Sequence, residues 1–131
     1  VRNTDFDHDL SCFYADQEGK ALDEMKDDQS LYIPTEDGII LVLGCCHSGL
    51  INTLEHVKKL SGDNRFLAVF GGTHLKNLPD KNIQLIIDKL KSFQINKIYF
   101  SHCSGTEIIY RIKKEAAIPS YHFTAGSRVQ L

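Results

Sequence analysis

Three times along this chain an apolar run passes through a turn of small and polar residues into a stretch with apolar side chains at helical spacing. The run GIILVL, Gly38 to Leu43, precedes Leu50, Ile51, Leu54, Val57 and Leu60. The run RFLAVF, Arg65 to Phe70, precedes Ile83, Ile86, Ile87, Leu90 and Phe93, and NKIYF, Asn96 to Phe100, precedes Ile108, Ile109 and Ile112. Short apolar runs followed by a period near 3.6 residues predict strands feeding helices. Gly62 ends the first helix, and the capping-box spacing of Ser104 and Glu107 starts the third at Thr106, to run to about Glu115. Strand-helix units in succession imply an α/β layered fold with right-handed crossovers. The Gly38–Leu43 run is apolar on both faces and belongs in the middle of the sheet.

The flanks add to this pattern. Ser30 to Pro34 faces Gly38 to Leu43 across Thr35-Glu36-Asp37-Gly38, and the Asp-Gly pair supplies the positive φ of a hairpin turn. Residues 1–29 read as an irregular lead-in with short strands. Pro119 to Phe123 and Ser127 to Leu131 read as closing strands around Gly126. A chain of 131 residues suits one domain, with a β/α core over residues 30–131. It opens on Val1 without an initiating methionine, which suggests a fragment or a processed piece.

Bulk properties narrow the function. Fifteen basic residues against seventeen acidic ones, with no basic block, give no support to nucleic-acid binding. The longest apolar run is far shorter than the roughly 20 residues needed to cross a bilayer, and no signal-peptide pattern opens the chain, so a cytoplasmic protein is expected. Two of the four cysteines are adjacent, Cys45 and Cys46, and the chain is not built like a stapled secretory domain, so reduced thiols are expected.

Of six histidines, His47, His74 and His102 share one setting. Each follows the end of a predicted strand, and each stands among small residues: GCCHSG at Gly44 to Gly49, GGTH at Gly71 to His74, and SHCSG at Ser101 to Gly105. In an α/β sheet such exits converge on one edge, where ligands bind. Three imidazoles with an open position suit a catalytic metal site, and such a metal acidifies a bound water for hydrolysis. Capping or buried, hydrogen-bonded histidines are the plain alternative. His8, His56 and His122 lack this setting.

Cys45, Cys46 and Cys103 adjoin two of these histidines. A thiolate near a helix N-terminus serves as a nucleophile or a ligand, but cysteine at a strand end is more often a small packing residue. Cys45 and Cys46 are read as packing neighbours. Asp27 and Asp28 read as a solvated acidic turn, with carboxylates orienting an imidazole as the alternative.

The ordered set GCCHSGLINT (Gly44 to Thr53), GGTHL (Gly71 to Leu75) and SHCSG (Ser101 to Gly105), preceded by DDQSL (Asp27 to Leu31), resembles the C-terminal half of the metallo-β-lactamase-fold superfamily. The likeness is to its metal-dependent hydrolases and their dihydropterin-ribofuranosylaminobenzene-phosphate synthase-like members, and it covers Asp27 to about Gly126. It implies half of an αββα sandwich, a mixed sheet with three helices, with the metal site at the sheet edge. It also implies His47 and His102 as metal ligands, and His74 where most members carry a bridging Asp. A neutral histidine does not bridge two metals as a carboxylate does, so a conventional dinuclear zinc site is not expected. The cofactor implied is a divalent metal, zinc first, with iron or manganese as alternatives.

The superfamily's His-x-His-x-Asp-His signature lies in the other half of the fold and does not occur here; His8, in DFDHD, has no partner histidine two residues away. A half-sandwich leaves an apolar sheet face uncovered, including residues of the Ile39 to Leu43 strand, so association with another copy or with the missing half is expected. A complete enzyme would direct a metal-bound hydroxide at an ester or phosphoester of an unidentified small molecule. The isolated chain, with too few ligands, is expected to bind metal weakly and not to turn over. Two rival readings are a non-enzymatic truncated module that oligomerises and a thiol enzyme using Cys45 or Cys46.

Overall fold

The hairpin comes first. In the computed structural model, which describes Asn3, Phe6 and residues 13–131, β1 (Ser30–Thr35) and β2 (Gly38–Leu43) pair antiparallel from Thr35 opposite Gly38 to Ser30 opposite Leu43. Gly38 alone takes the positive φ expected of the Asp-Gly pair, at 126°. A Cβ there would lie 2.8 Å from the carbonyl oxygen of Arg65.

From β2 the chain alternates as its pattern predicts. Helix α1 (Leu50–Ser61) leads to β3 (Arg65–Gly71), and α2 (Asp80–Leu90) leads to β4 (Gln94–Ile95) and β5 (Ile98–Phe100). Helix α3 (Thr106–Glu115) then leads to β6 (Ser120–His122). The sheet order is β1-β2-β3-β5-β6 with β4 also beside β3, and every pairing after the hairpin is parallel. Because the strand order advances in one direction, crossovers of one hand stack all three helices on the same face.

Burial follows from that layering. Leu41, Val69 and Ile98, aligned across β2, β3 and β5, are buried with Leu50, Ile51, Leu54 and Val57 of α1, Ile83, Ile86, Ile87 and Leu90 of α2, and Ile108, Ile109 and Ile112 of α3. The opposite face carries a second aligned row: Leu31, Val42, Phe70, Tyr99 and Tyr121. Here Leu31 is 59% exposed, Val42 39% and Tyr121 45%. Tyr99 stays covered because Phe70 and Tyr121 stack on its two sides, with ring centroids at 4.7 and 5.3 Å. Strand β2 is thus central but buried on one face, with Val42 open on the other.

Some local expectations need correction. The strand expected over Asn96 to Phe100 is shortened to Ile98–Phe100, and Asn96 and Lys97 hydrogen-bond to β3 between β5 and the unexpected short strand β4 at Gln94–Ile95. Ser127 to Leu131 forms no strand. Leu60, in the last turn of α1, is exposed. Helix α3 starts where expected, but its N-cap is Gly105 with no side-chain cap, because the Ser104 hydroxyl is buried against Thr73. Gly62 does end α1, left-handed at φ 73° and donating its N–H to Lys58. No helix among the described residues is long and apolar enough to cross a membrane.

Candidate metal centre

Parallel strands β2, β3 and β5 end on one edge of the sheet, and the three turns that follow are tied to one another. Gly72 N–H donates to Gly44 O at 3.0 Å and Ser101 N–H to Gly71 O at 2.9 Å. The Thr73 hydroxyl donates to Ser104 Oγ at 2.9 Å, wholly buried. Asp28, half-buried, accepts the backbone N–H of His47 at 2.7 Å. It is neither a free solvated carboxylate nor simply an imidazole partner: it clamps the turn that carries His47.

All three predicted histidines reach this edge, but in two groups. The ligating atoms of Cys45, His47 and His74 lie within 4.8 Å of one another, as do those of Cys45, His102 and Cys103. His47 is buried and its ring lies 4.5 Å from that of His74. Cys45 Sγ is 3.4 Å from His74 Nδ1 and 3.3 Å from Cys103 Sγ. His74 N–H donates to Cys103 Sγ at 3.1 Å, and Ser101 Oγ lies 3.1 Å from Nδ1 of the exposed His102.

Three residues absent from the expected set stand out: Cys45, Cys103 and Phe13. Cys45, read as a packing neighbour, belongs to both groups, while Cys46 alone fits that reading: its side chain is 1% exposed and sits in the core, 3.4 Å from the Thr53 hydroxyl. Adjacent residues pointing to opposite sides of one turn cannot be told apart by spacing. Phe13, which the sequence places only in an irregular lead-in, lies edge-on to His47 at 5.4 Å and tilted over His74 at 6.2 Å. His56 and His122 lie on α1 and β6 outside both groups, and His8 is outside the described residues.

The local backbone is strained and tight. Cys46 and His74 have φ of 63° and 49°, a left-handed conformation that costs a non-glycine residue about 1–3 kcal/mol. Gly72 forms the floor: a Cβ on it would lie 2.7 Å from both Cys103 Sγ and His102 Cε1. That space, lined by imidazole and sulfur donors, fits a borderline-soft divalent cation. Burial, then His47 and His102, holds the His74 pKa below its usual 6.5 and keeps it neutral, the form that ligates metal. Burial and the Cys103 sulfur push the Cys45 thiol up to about 12, and burial pushes Cys46 to about 12 as well. Without a cation beside it, Cys45 keeps its proton at neutral pH, the reverse of what an activated nucleophile requires.

Over 79% of its length the chain matches 40% of the crystal structure of a metal-dependent hydrolase of the β-lactamase superfamily, with a TM-score of 0.71 and 26% identity. The chain has a β-lactamase-superfamily fold. This β-lactamase-like chain is also 39% identical over 84 residues to the 7,8-dihydropterin-6-methyl-4-(β-D-ribofuranosyl)-aminobenzene-5'-phosphate synthase of Methanocaldococcus jannaschii, a match that covers 64% of the chain and 29% of the synthase. It is 33% identical over 111 residues to an uncharacterized protein of the same organism, covering 84% of the chain and 40% of that protein. No family model matches. The chain therefore spans less than half the length of each of these proteins.

Proposed function

We propose that this β-lactamase-like chain contributes one side of a metal-dependent hydrolytic site, with His47, His74 and His102 as ligands. The observation that carries the reading is the convergence of imidazole and thiol donors from three separate strand exits on one small, glycine-floored space. A bound divalent metal supplies Lewis acidity and an acidified water there. The chain's own residues hold and shape the position. Asp28 fixes the His47 turn, Phe13 covers the His47 and His74 side, and His102 is exposed to solvent. The donor set favours zinc or iron over manganese, which prefers oxygen ligands. The structural relative is described as a hydrolase and the sequence relative as a synthase; the hydrolytic reading, toward an ester or phosphoester, rests on the first and on the donors.

Elemental analysis of the purified chain, repeated on His47→Ala and His102→Ala, tests this. Metal in the parent and a lower metal content in each variant is the expected result, and a content unchanged from the parent in both variants would sink the ligand assignment. Turnover is expected only when the remainder of the fold completes the site.

A second reading concerns the open face of the sheet. The exposed row of Leu31, Ile33, Val42 and Tyr121 supports association through that face, and the partial span of the relatives supports a second layer of the same fold as the occupant. Light scattering on the chain alone, then with the complementary part of a relative's fold, distinguishes self-association from capture of that layer.

A further inference from the structure

The five donors at the sheet edge do not surround one point. They form two groups, and Cys45 is the residue common to both. Its sulfur faces His74 on one side and Cys103 on the other. A neutral imidazole has one lone pair free at its ligating nitrogen, so none of the three histidines can join two cations. A thiolate sulfur keeps three lone pairs and can. Asp28, the carboxylate beside the turn, already accepts the His47 backbone N–H.

We propose that Cys45 is a bridging ligand shared by two metal positions, one completed by His47 and His74 and the other by His102 and Cys103. This rests on the metal-site reading above and extends it from histidines to thiolates. Magnitudes support it. Zinc–sulfur and zinc–nitrogen bonds of about 2.3 and 2.0–2.1 Å at tetrahedral angles separate a sulfur and a nitrogen ligand by roughly 3.5 Å, and two sulfurs by roughly 3.8 Å. Cys45 stands 3.4 Å from His74 Nδ1 and 3.3 Å from Cys103 Sγ. Both partners are thus within about half an ångström of the spacing at which one cation binds the pair. The N–H of His74 directed at Cys103 Sγ stabilises negative charge on that sulfur, and Gly72 keeps the space beneath it open. On binding, each thiol loses one proton to solvent; the Cys103 sulfur then forms one sulfur–metal bond and the Cys45 sulfur two, with no change of oxidation state.

The test is anaerobic titration of the reduced chain with cobalt(II), followed by thiolate-to-cobalt charge-transfer absorption in the near ultraviolet and by ligand-field bands in the visible. The parent should show both and bind beyond one equivalent. Cys45→Ser should weaken cobalt at least about tenfold at both positions, whereas Cys103→Ser should weaken only the position that includes His102. Cys46→Ser should match the parent. X-ray absorption of the zinc-loaded parent needs no variant, and should show sulfur scatterers at about 2.3 Å together with a second-metal shell. Cobalt bound with ligand-field bands, but with charge transfer unaltered by Cys45→Ser or a sulfur shell missing, overturns the bridge and leaves the histidine reading standing. No cobalt bound overturns both.

Discussion

The sulfur atoms of Cys45 and Cys103 lie 3.3 Å apart, although the strands they follow, β2 and β5, are not neighbours: β3 runs between them. They meet over the exit of β3, where the chain is Gly71-Gly72. The glycines that end the middle strand make that meeting possible, since a side chain at Gly72 would occupy the same space.

Gly72→Ala should therefore damage the site more than the fold. The added Cβ would press on Cys103 Sγ, on His102 Cε1 and, at 2.9 Å, on the Gly44 carbonyl oxygen, and the last is backbone and cannot rotate away. Overpacking of this kind costs about 1–3 kcal/mol. Chemical denaturation should show that loss, and metal analysis of the still-folded variant should show a larger proportional loss of bound metal.

Asp28→Ala tests the clamp on the His47 turn. Removing a carboxylate that accepts a part-buried N–H costs about 1.5–3 kcal/mol, and a partner that orients a ligand is worth about 10- to 100-fold in metal affinity. Asp27→Ala, on an exposed neighbour, should change neither quantity measurably. Equal behaviour of the two variants would remove the clamp from the account.

The metal-free chain should be most stable between about pH 6.5 and 9. The folded state holds His74 below its usual 6.5, so the unfolded chain binds more protons as pH falls through that value and stability is lost on the acid side. It holds Cys45 and Cys46 near 12, above their usual 9.0, so stability is full below 9 and is lost as pH rises toward 12. Urea midpoints across this range under reducing conditions measure both limbs, and Cys46→Ala should flatten the alkaline one.

Thiol alkylation separates the two adjacent cysteines. Cys46 is sealed in the core, whereas Cys45 and Cys103 are only half-buried. Iodoacetamide at pH 8.5 should modify Cys45 and Cys103 slowly and Cys46 only on unfolding, and added zinc should protect the first two. Peptide mapping after timed quenching reads all three; rapid, selective labelling of Cys45 near neutral pH would restore the thiol-enzyme reading.

On the open sheet face, Val42→Lys should leave stability nearly unchanged, within about 0.5 kcal/mol as for other exposed sites, while abolishing association seen by light scattering. Leu41→Ala, one residue away on the helix-covered face, should cost about 2–5 kcal/mol and leave association per folded molecule intact.

The amino-acid sequence by itself determined the alternation of strands and helices, because an apolar run or a 3.6-residue period is a local property of consecutive residues. It placed Leu50, Leu54 and Val57 inward, Gly62 at the end of α1 and α3 from Thr106, and it brought His47, His74 and His102 to one edge. Only the tertiary structure decided which side of the Gly44–Gly49 turn each cysteine faces, and so which is packing and which stands among the histidines. Only it made the Ser104 hydroxyl a partner of Thr73 rather than a helix cap, left Leu60 in solvent, and laid Phe13 against the His47 ring. These depend on contacts between residues far apart in the chain, whose geometry is set when three crossovers pack onto one sheet and which no run of neighbouring residues encodes.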